Sequence, residues 1–463
     1  MRNVVKALLL GAVCFAPGVA WSESLADALI AAYRNSHLLE QNQAVLRAAD
    51  EDVATAVGSL RPVVSFVSKL GRVDTNYVES RNSIFSQDGF STSGSSSLQA
   101  SLTLLDFGRG KTTVALKNEL VLASQAALLG VEQQVMFDAV QAYVNVALQT
   151  DLVATQISNV ELISQDLQAT KDRFEVGEVT KTDVSLAESQ LAASKAQLAL
   201  AQGNQTVAKE RYNAAIGHYP EKMSALPRNP VTVKSVEEAR AIALRGHPAM
   251  TQSAHQVKAA DLGVDLAKAQ MSPTLGFSAS LTETYTTDGL TSTVTALGLE
   301  LDQTIYAGGR LSSALRKAIA QQAEAHAGQL QTGVGVTEAV GKAWSNILVA
   351  NASILATEEQ IHAAQAAYDG VKQEAALGSR TTLDVLNAEQ DLLSAKAAQL
   401  QAQASLSVSQ YALLAAMGLL TAEKLQLGIP TFDPSAYLNA VKKAPATSSR
   451  GAKLDKILKT LGK

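Results

Sequence analysis

The chain is poor in the features that would open most functional readings. It has one cysteine, Cys14, so an intramolecular disulfide and a cysteine metal site are both excluded. Its 29 glycines and 10 prolines in 463 residues are too few for a collagen-like or linker chain. Charge of one sign is lacking too. Lys plus Arg is 39 and Asp plus Glu is 43, a net charge of −4, which argues against nucleic acid as a partner. The six histidines, at 37, 218, 247, 255, 326 and 362, are scattered without metal-ligand spacing. A phosphate-binding glycine loop, a zinc helix motif and a nucleophile elbow are all absent, so no enzyme, no metal and no cofactor is expected. Beyond the N-terminal segment, no stretch offers about 18 uninterrupted apolar residues, the signature of a membrane helix. Any membrane span must then be made of strands. Hydrophobic residues at 47% and charged residues at 18% still suit a large folded chain, about three domains at roughly 150 residues each.

What is present begins with an address. Arg2 and Lys6 precede an apolar run from Ala7 to Ala20, and Gly18-Val19-Ala20 fits a cut after Ala20. Residues 1–20 therefore read as a secretory signal peptide. The alternatives are a buried N-terminal helix, or a lipid on Cys14, although Val13 stands where a small residue is expected.

The chain is then written twice. Pro62 and Pro273 share an offset of 273 − 62 = 211, as do Ser24 and Ser235. From Gly108 and Gly309 onward the offset is 309 − 108 = 201. It holds for Gly177 and Gly378, Asp183-Val184 and Asp384-Val385, Ala187-Glu188 and Ala388-Glu389, and Gly217 and Gly418. A register constant over about 110 residues is the behaviour of long packed helices rather than of loops. The reading gives a signal peptide (1–20), repeat 1 (21–231), repeat 2 (232–428) and a tail (429–463). Each repeat predicts a helix (24–60, 235–271), two strands, a very long helix, a tight turn and a returning helix (181–217, 380–418).

The strands, near 63–74, 96–105 and in two stretches after Pro273, alternate apolar with small or polar residues. Examples are Leu98, Ala100, Leu102 and Leu104, and Leu297, Leu299 and Leu301. That is the period of two of a half-buried strand. Between Gly108 and Gly177, and between Gly309 and Gly378, no proline occurs. About 65 residues at ~1.5 Å each give a helix of ~100 Å. Val146, Val153, Val160 and Leu167 recur every seven, as do Ile347, Ile354, Ile361 and Tyr368, the period of a coiled-coil seam. Tyr143 and Trp344 open these stripes and read as packing residues. Four strands of about ten residues suit a bilayer crossing. They cannot close a barrel alone, since the smallest have ~8. Two chains would supply eight strands and three would supply twelve.

Several motifs resemble the TolC family of outer-membrane efflux and secretion ducts. They are Asp106-Phe107-Gly108-Arg109 and Tyr306-Ala307-Gly308-Gly309-Arg310 at the strand-to-helix exits, the turns Val176-Gly177-Glu178-Val179-Thr180 and Leu377-Gly378-Ser379-Arg380, and the Asp-Val-x-x-Ala-Glu pairs after them. The likeness covers about residues 21–428. It implies a mainly α fold with a transmembrane β-barrel portion: a homotrimer whose twelve-stranded outer-membrane barrel continues into a long periplasmic α-helical barrel. It also implies an equatorial belt near 218–234 and 420–440. Such a duct is the channel-tunnel of a tripartite export system. It works with a periplasmic adaptor and an inner-membrane ABC or proton-driven transporter, passes small molecules or secreted proteins, and sits in outer-membrane lipid of a Gram-negative cell.

The resemblance implies adaptor docking at Val176, Gly177, Glu178, Leu377, Gly378 and Ser379. Just inside these turns lie Asp183 and Asp384. Each stands three residues after a threonine and fits a plain helix cap. In a trimer they would also form rings of carboxylates that select cations. Asp384 matches a family entrance aspartate, while Asn387 replaces a second one. Arg380 matches an arginine that latches the entrance against groups near Thr182 and Asp183, and Ala375 stands where the family has a latch tyrosine. From Lys442 to Lys463 seven basic residues face only Asp455, which reads as a solvated tail or as a segment for an acidic partner. The competing reading is a periplasmic coiled-coil adaptor or scaffold, which leaves the paired strands unexplained.

Overall fold

The computed structural model describes residues 22–75, 89–225, 233–286 and 291–444, together with Lys456 and Thr460. The signal peptide expected at 1–20, the Cys14 alternative and most of the basic tail lie outside the described residues. So do Pro227 and Pro230 of the inter-repeat break.

Each repeat opens on two short helices where the sequence predicted one. In repeat 1 they are α1 (Leu25–Asn35) and α2 (His37–Gly58). Ser36 breaks them: its backbone is extended and its hydroxyl accepts a hydrogen bond from the Leu39 amide at 3.2 Å. That is an N-cap, which competes locally with continued helix. The strands follow, β1 (Val63–Thr75) and β2 (Gly89–Leu105). The 67-residue α3 (Arg109–Glu175) and the returning α4 (Lys181–Ile216) complete the repeat. Repeat 2 gives α5 (Val236–Gly246) and α6 (Pro248–Ala269), then β3 (Thr274–Thr286) and β4 (Thr291–Asp302). It ends with α7 (Arg310–Ala376), also of 67 residues, and α8 (Thr382–Ala416). A short α9 (Pro434–Val441) lies beyond. His247 occupies the place of Ser36. Pro248 pushes the residue before it out of the helical region, and the His247 ring nitrogen caps α6 by accepting from the Ala249 amide.

Contacts divide the chain into two compact units that cut across the repeats. The tip unit holds α1, α3 from Asp138, α4, α7 from Ile347 and α8 to Val408. The sheet unit holds α2, α5, α6, α9, the four strands, the first parts of α3 and α7, and the end of α8.

In the sheet unit the strands form one antiparallel sheet in the order β1-β2-β3-β4, leaving β1 and β4 as edges. Register fixes the faces, because residues directly opposite each other share a side. Phe66 pairs with Leu98 and Leu98 with Leu281. Val64 aligns with Ala100, Ala279 and Leu297, and Leu102 aligns with Phe277 and Leu299. The opposite face carries Ser65, Gln99, Ser280 and Ala296. One face is thus apolar over the part of the sheet nearest the helices, and it turns polar beyond Leu281, where Thr295, Ser96 and Glu283 follow on the same side. The strands run past the predicted alternation, into Gly89–Gly94 and to Thr286, because backbone pairing continues where side chains turn polar.

At the strand-to-helix exit Asp106 caps α3, accepting from the Gly108 and Gly110 amides at 3.0 and 2.6 Å. The Arg109 guanidinium donates to the Ala269 and Ser272 carbonyls at the end of α6. α3 does contain an 18-residue window of mean hydropathy 1.3, despite the absence of any unbroken apolar run. Its 67 residues far exceed the ~20 that a bilayer takes. Val121, Met136, Val140, Tyr143 and Val146 are buried along it, while only 22% of the apolar window is buried within the single chain. Of the seam, Val146, Val153, Leu167 and Tyr368 are buried and the other members are half-buried.

α8 ends on Gly418 at a positive φ of 78°. A Cβ there would lie 2.8 Å from the His247 Cα and 3.1 Å from the Gly246 carbonyl, both backbone. Downstream, the buried Glu132 carboxylate accepts from the Ala422 amide at 2.7 Å. Gly418→Ala is expected to destabilise the sheet unit by roughly 2–5 kcal/mol, combining left-handed strain with overpacking against atoms that cannot swing away. Thermal loss of helical circular dichroism checks this, and an unchanged midpoint would refute it.

Candidate functional site

The two tips of the tip unit are built alike. At the end of α3, Gly177 takes a φ of 79° and its amide donates to the Phe174 carbonyl, while the Glu178 amide donates to the Arg173 carbonyl. At the end of α7, Gly378 takes a φ of 78°. There the Gly378 amide donates to the Ala375 carbonyl and the Ser379 amide to the Glu374 carbonyl. Both are the left-handed glycine caps that satisfy the last carbonyls of a helix. The reversal leaves Val176 and Leu377 at 72% and 86% exposure. Glu178, Ser379 and both glycines are exposed with them.

The helices that return are capped by the expected threonine-aspartate pairs. The Asp183 amide donates to the Thr180 hydroxyl at 3.3 Å, and Asp183 Oδ2 accepts from the Thr180 amide at 2.8 Å. Asp384 and Thr381 repeat this at 3.2 and 3.0 Å. Thr180's hydroxyl and amide hold the Asp183 carboxyl below the usual carboxylate range, aided by the nearby Arg173 charge. Thr381's amide and hydroxyl do the same for Asp384, aided by Arg380. Each aspartate is therefore both a cap and a charge kept ionised. Thr182 and Asn387 are exposed beside them.

A cavity of about 450 Å³ brings Asp183, Glu178, Gly378 and Arg380 to one lining, together with Asp166, Arg173 and Lys372. The structure gives Arg380 a partner other than the expected one: its Nε donates to Glu374 Oε2 at 2.9 Å, within its own hairpin. Arg173 pairs with Glu178 at 3.3 Å and also donates to the Ala375 carbonyl across the hairpins. The backbone at Ala375 thus receives a cation where the resemblance would place a tyrosine.

Sequence reasoning passed over Asp166, Lys372 and Glu389. The Lys372 ammonium lies 3.3 Å from Asp166 Oδ1 and donates to the Tyr368 hydroxyl at 3.0 Å. Glu389, on α8, is 4% exposed, and neither of its carboxylate oxygens has a hydrogen-bond partner. Burial first, and the Asp166 charge second, push its carboxyl up to about 7. The signal available was a break in the repeat: Lys171 and Glu188 match Lys372 and Glu389 at the 201 offset, but Asp166 corresponds to Ala367. Among the described residues no His, Cys, Asp and Glu group has the arrangement of a metal site.

Comparison with known proteins places the chain in a family. The family model described as outer membrane efflux protein matches residues 29–218 and again 240–419, one match in each repeat. The chain is 32% identical over 442 residues to the outer membrane efflux protein BepC of Brucella suis, with 95% of each chain covered. It is 25% identical to the outer membrane protein TolC of Escherichia coli, over 79% of this chain and 77% of that one. Its fold matches the Campylobacter jejuni CmeC outer membrane channel with a TM-score of 0.75 at 16% identity, covering 96% and 98% of the two chains. The chain belongs to the outer membrane efflux protein family of TolC-type channels, and it is an export channel of the outer membrane reaching into the periplasm rather than an enzyme or a periplasmic scaffold.

Proposed function

We propose that three chains close one duct, with a twelve-stranded barrel in outer-membrane lipid continued by a helical barrel in the periplasm. The observation that carries this reading is the four-stranded sheet with an apolar face and two edges, β1 and β4. Open edges are not tolerated in lipid, so the sheet must be completed by other chains. Twelve strands leave a lumen, whereas eight fill with their own side chains. Leu330, Val334, Leu348 and Leu355 of α7 are exposed in the single chain, which supports helix packing against a neighbouring chain. The partition into residues 21–231, 232–428 and 429–463 is part of this reading, with an equatorial belt near 218–234 and 420–440, of which 226–232 lie outside the described residues.

In this reading the duct takes small molecules or secreted proteins from an inner-membrane ABC or proton-driven transporter. A periplasmic adaptor docks on the exposed tips at Val176, Gly177, Glu178, Leu377, Gly378 and Ser379. Entry is set by Thr182, Asp183, Arg380, Asp384 and the uncharged Asn387. The deciding experiment is the mass of the detergent-solubilised protein from an outer-membrane fraction, corrected for bound detergent. A trimer supports the duct; a water-soluble monomer or dimer removes it.

Arg380 tests the entrance. Its link to Glu374 and its proximity to Asp384 support a role in holding the second tip. Arg380→Ala is expected to raise single-channel conductance in planar bilayers. A variant that conducts no more than the parent would remove the latch.

A further inference from the structure

Each hairpin carries a lysine and a glutamate at equivalent positions, and the two repeats use them differently. In repeat 1, Lys171 pairs with Glu188 at 3.0 Å inside the α3–α4 hairpin, with both side chains well exposed. In repeat 2 the equivalent lysine, Lys372, reaches out of its hairpin to Asp166 of α3. Glu389, the equivalent of Glu188, stays buried with both oxygens unpartnered, and Asp166 Oδ2 is buried and unpartnered as well. A buried carboxylate without a partner is costly, and the ordinary remedy is a proton. Three side chains face Glu389 across the helix packing: Asp166 from α3, and Lys372 and Tyr368 from α7. One ammonium is therefore bonded to Asp166 while within electrostatic reach of Glu389, and only the Asp166 arrangement adds a second tie between the hairpins beside the Arg173 bond to Ala375.

We infer that Lys372 is a two-position cation. With Glu389 protonated it bridges α7 to Asp166 on α3. When Glu389 ionises it returns to its own hairpin, as Lys171 does in repeat 1, and releases the Asp166 tie beside the tip cavity, leaving the Arg173 bond to the Ala375 carbonyl as the remaining link. The step moves one proton from the Glu389 carboxyl to solvent and breaks no covalent bond. Glu389 lies near neutrality because burial and Asp166 disfavour its charge, so the tie holds on the acid side and loosens as pH rises through about 7. This deepens the entrance reading and rests on it for its consequence in conduction.

The test is hydrogen exchange of the full solubilised chain at about pH 6 and about pH 8, corrected for intrinsic pH dependence and read over residues 160–190 and 365–392. Expected is several-fold faster exchange at the higher pH in the parent. E389Q should be slow at both, because its neutral amide cannot call Lys372 back. D166N should be fast at both, and K372Q likewise. A pH step that persists in E389Q, or a D166N protein as slow as the parent at low pH, overturns the switch. Conductance separates the two claims. If exchange follows this pattern while conductance stays flat, the switch stands and the entrance reading fails. If the exchange pattern is missing, the switch fails whatever the conductance does.

Discussion

Leu299→Arg is expected to leave almost no protein assembled in the outer membrane. Leu299 sits in β4 opposite Phe277, on the apolar face of the sheet, at 69% exposure in the single chain. Among the described residues Leu297 and Leu301 beside it are exposed as well, and lipid is the cover that the duct reading supplies. An arginine near the middle of a lipid-facing strand costs about 2–4 kcal/mol. In the proposed trimer this multiplies to roughly 6–12 kcal/mol, comparable with the whole ~5–15 kcal/mol stability of a typical fold. Ala296→Arg is the matched control, since Ala296 pairs with Ser280 on the opposite face. It should assemble and change only conduction. Fractionation followed by unheated gel electrophoresis reads both. Equal assembly of the two variants would show that the apolar face does not meet lipid.

The second large effect is on ion selectivity. Asp183→Asn combined with Asp384→Asn should abolish most of the cation preference of the duct. Asparagine keeps an oxygen for the Thr180 and Thr381 amides, so the caps survive and only charge is lost. The proposed trimer would lose six carboxylates, and a ring of like charge in a narrow passage concentrates counter-ions by about tenfold or more. The effect should be greatest at low salt and should fade near 1 M, where the screening length is ~3 Å. Both carboxyl groups are held below the usual range by their threonines. In the parent the preference should therefore persist through mild acidity and vanish only below the ordinary carboxylate range. Reversal potentials across a salt gradient measure this. An unchanged potential in the double variant would reduce both residues to helix caps.

Much of this was legible in the sequence, and the physical reason is repetition. Two 67-residue helices at one offset, glycine turns at Gly177 and Gly378, and threonine-aspartate caps are all local chemistry written twice. What escaped was the chemistry that breaks the repeat or depends on long-range packing. The helix breaks at Ser36 and His247 rest on one cap and one proline inside otherwise continuous helical patterns. The partner of Lys372 is fixed by Asp166, far along the chain and without a counterpart in repeat 2. Arg380 turned to Glu374, six residues away, a choice of rotamer that spacing does not dictate.

The pairing of β2 with β3 bears on how the chain is made. Leu98 finds Leu281 only after α3, α4, α5 and α6 have been synthesised. Until then β1 and β2 form a bare hairpin whose apolar face and free edges invite wrong partners. Contacts of such wide separation fold slowly, whereas the long helices form locally and fast. The sheet should be the last part of each protomer to mature, and the stage at which a periplasmic chaperone holding unpaired strands has most to do.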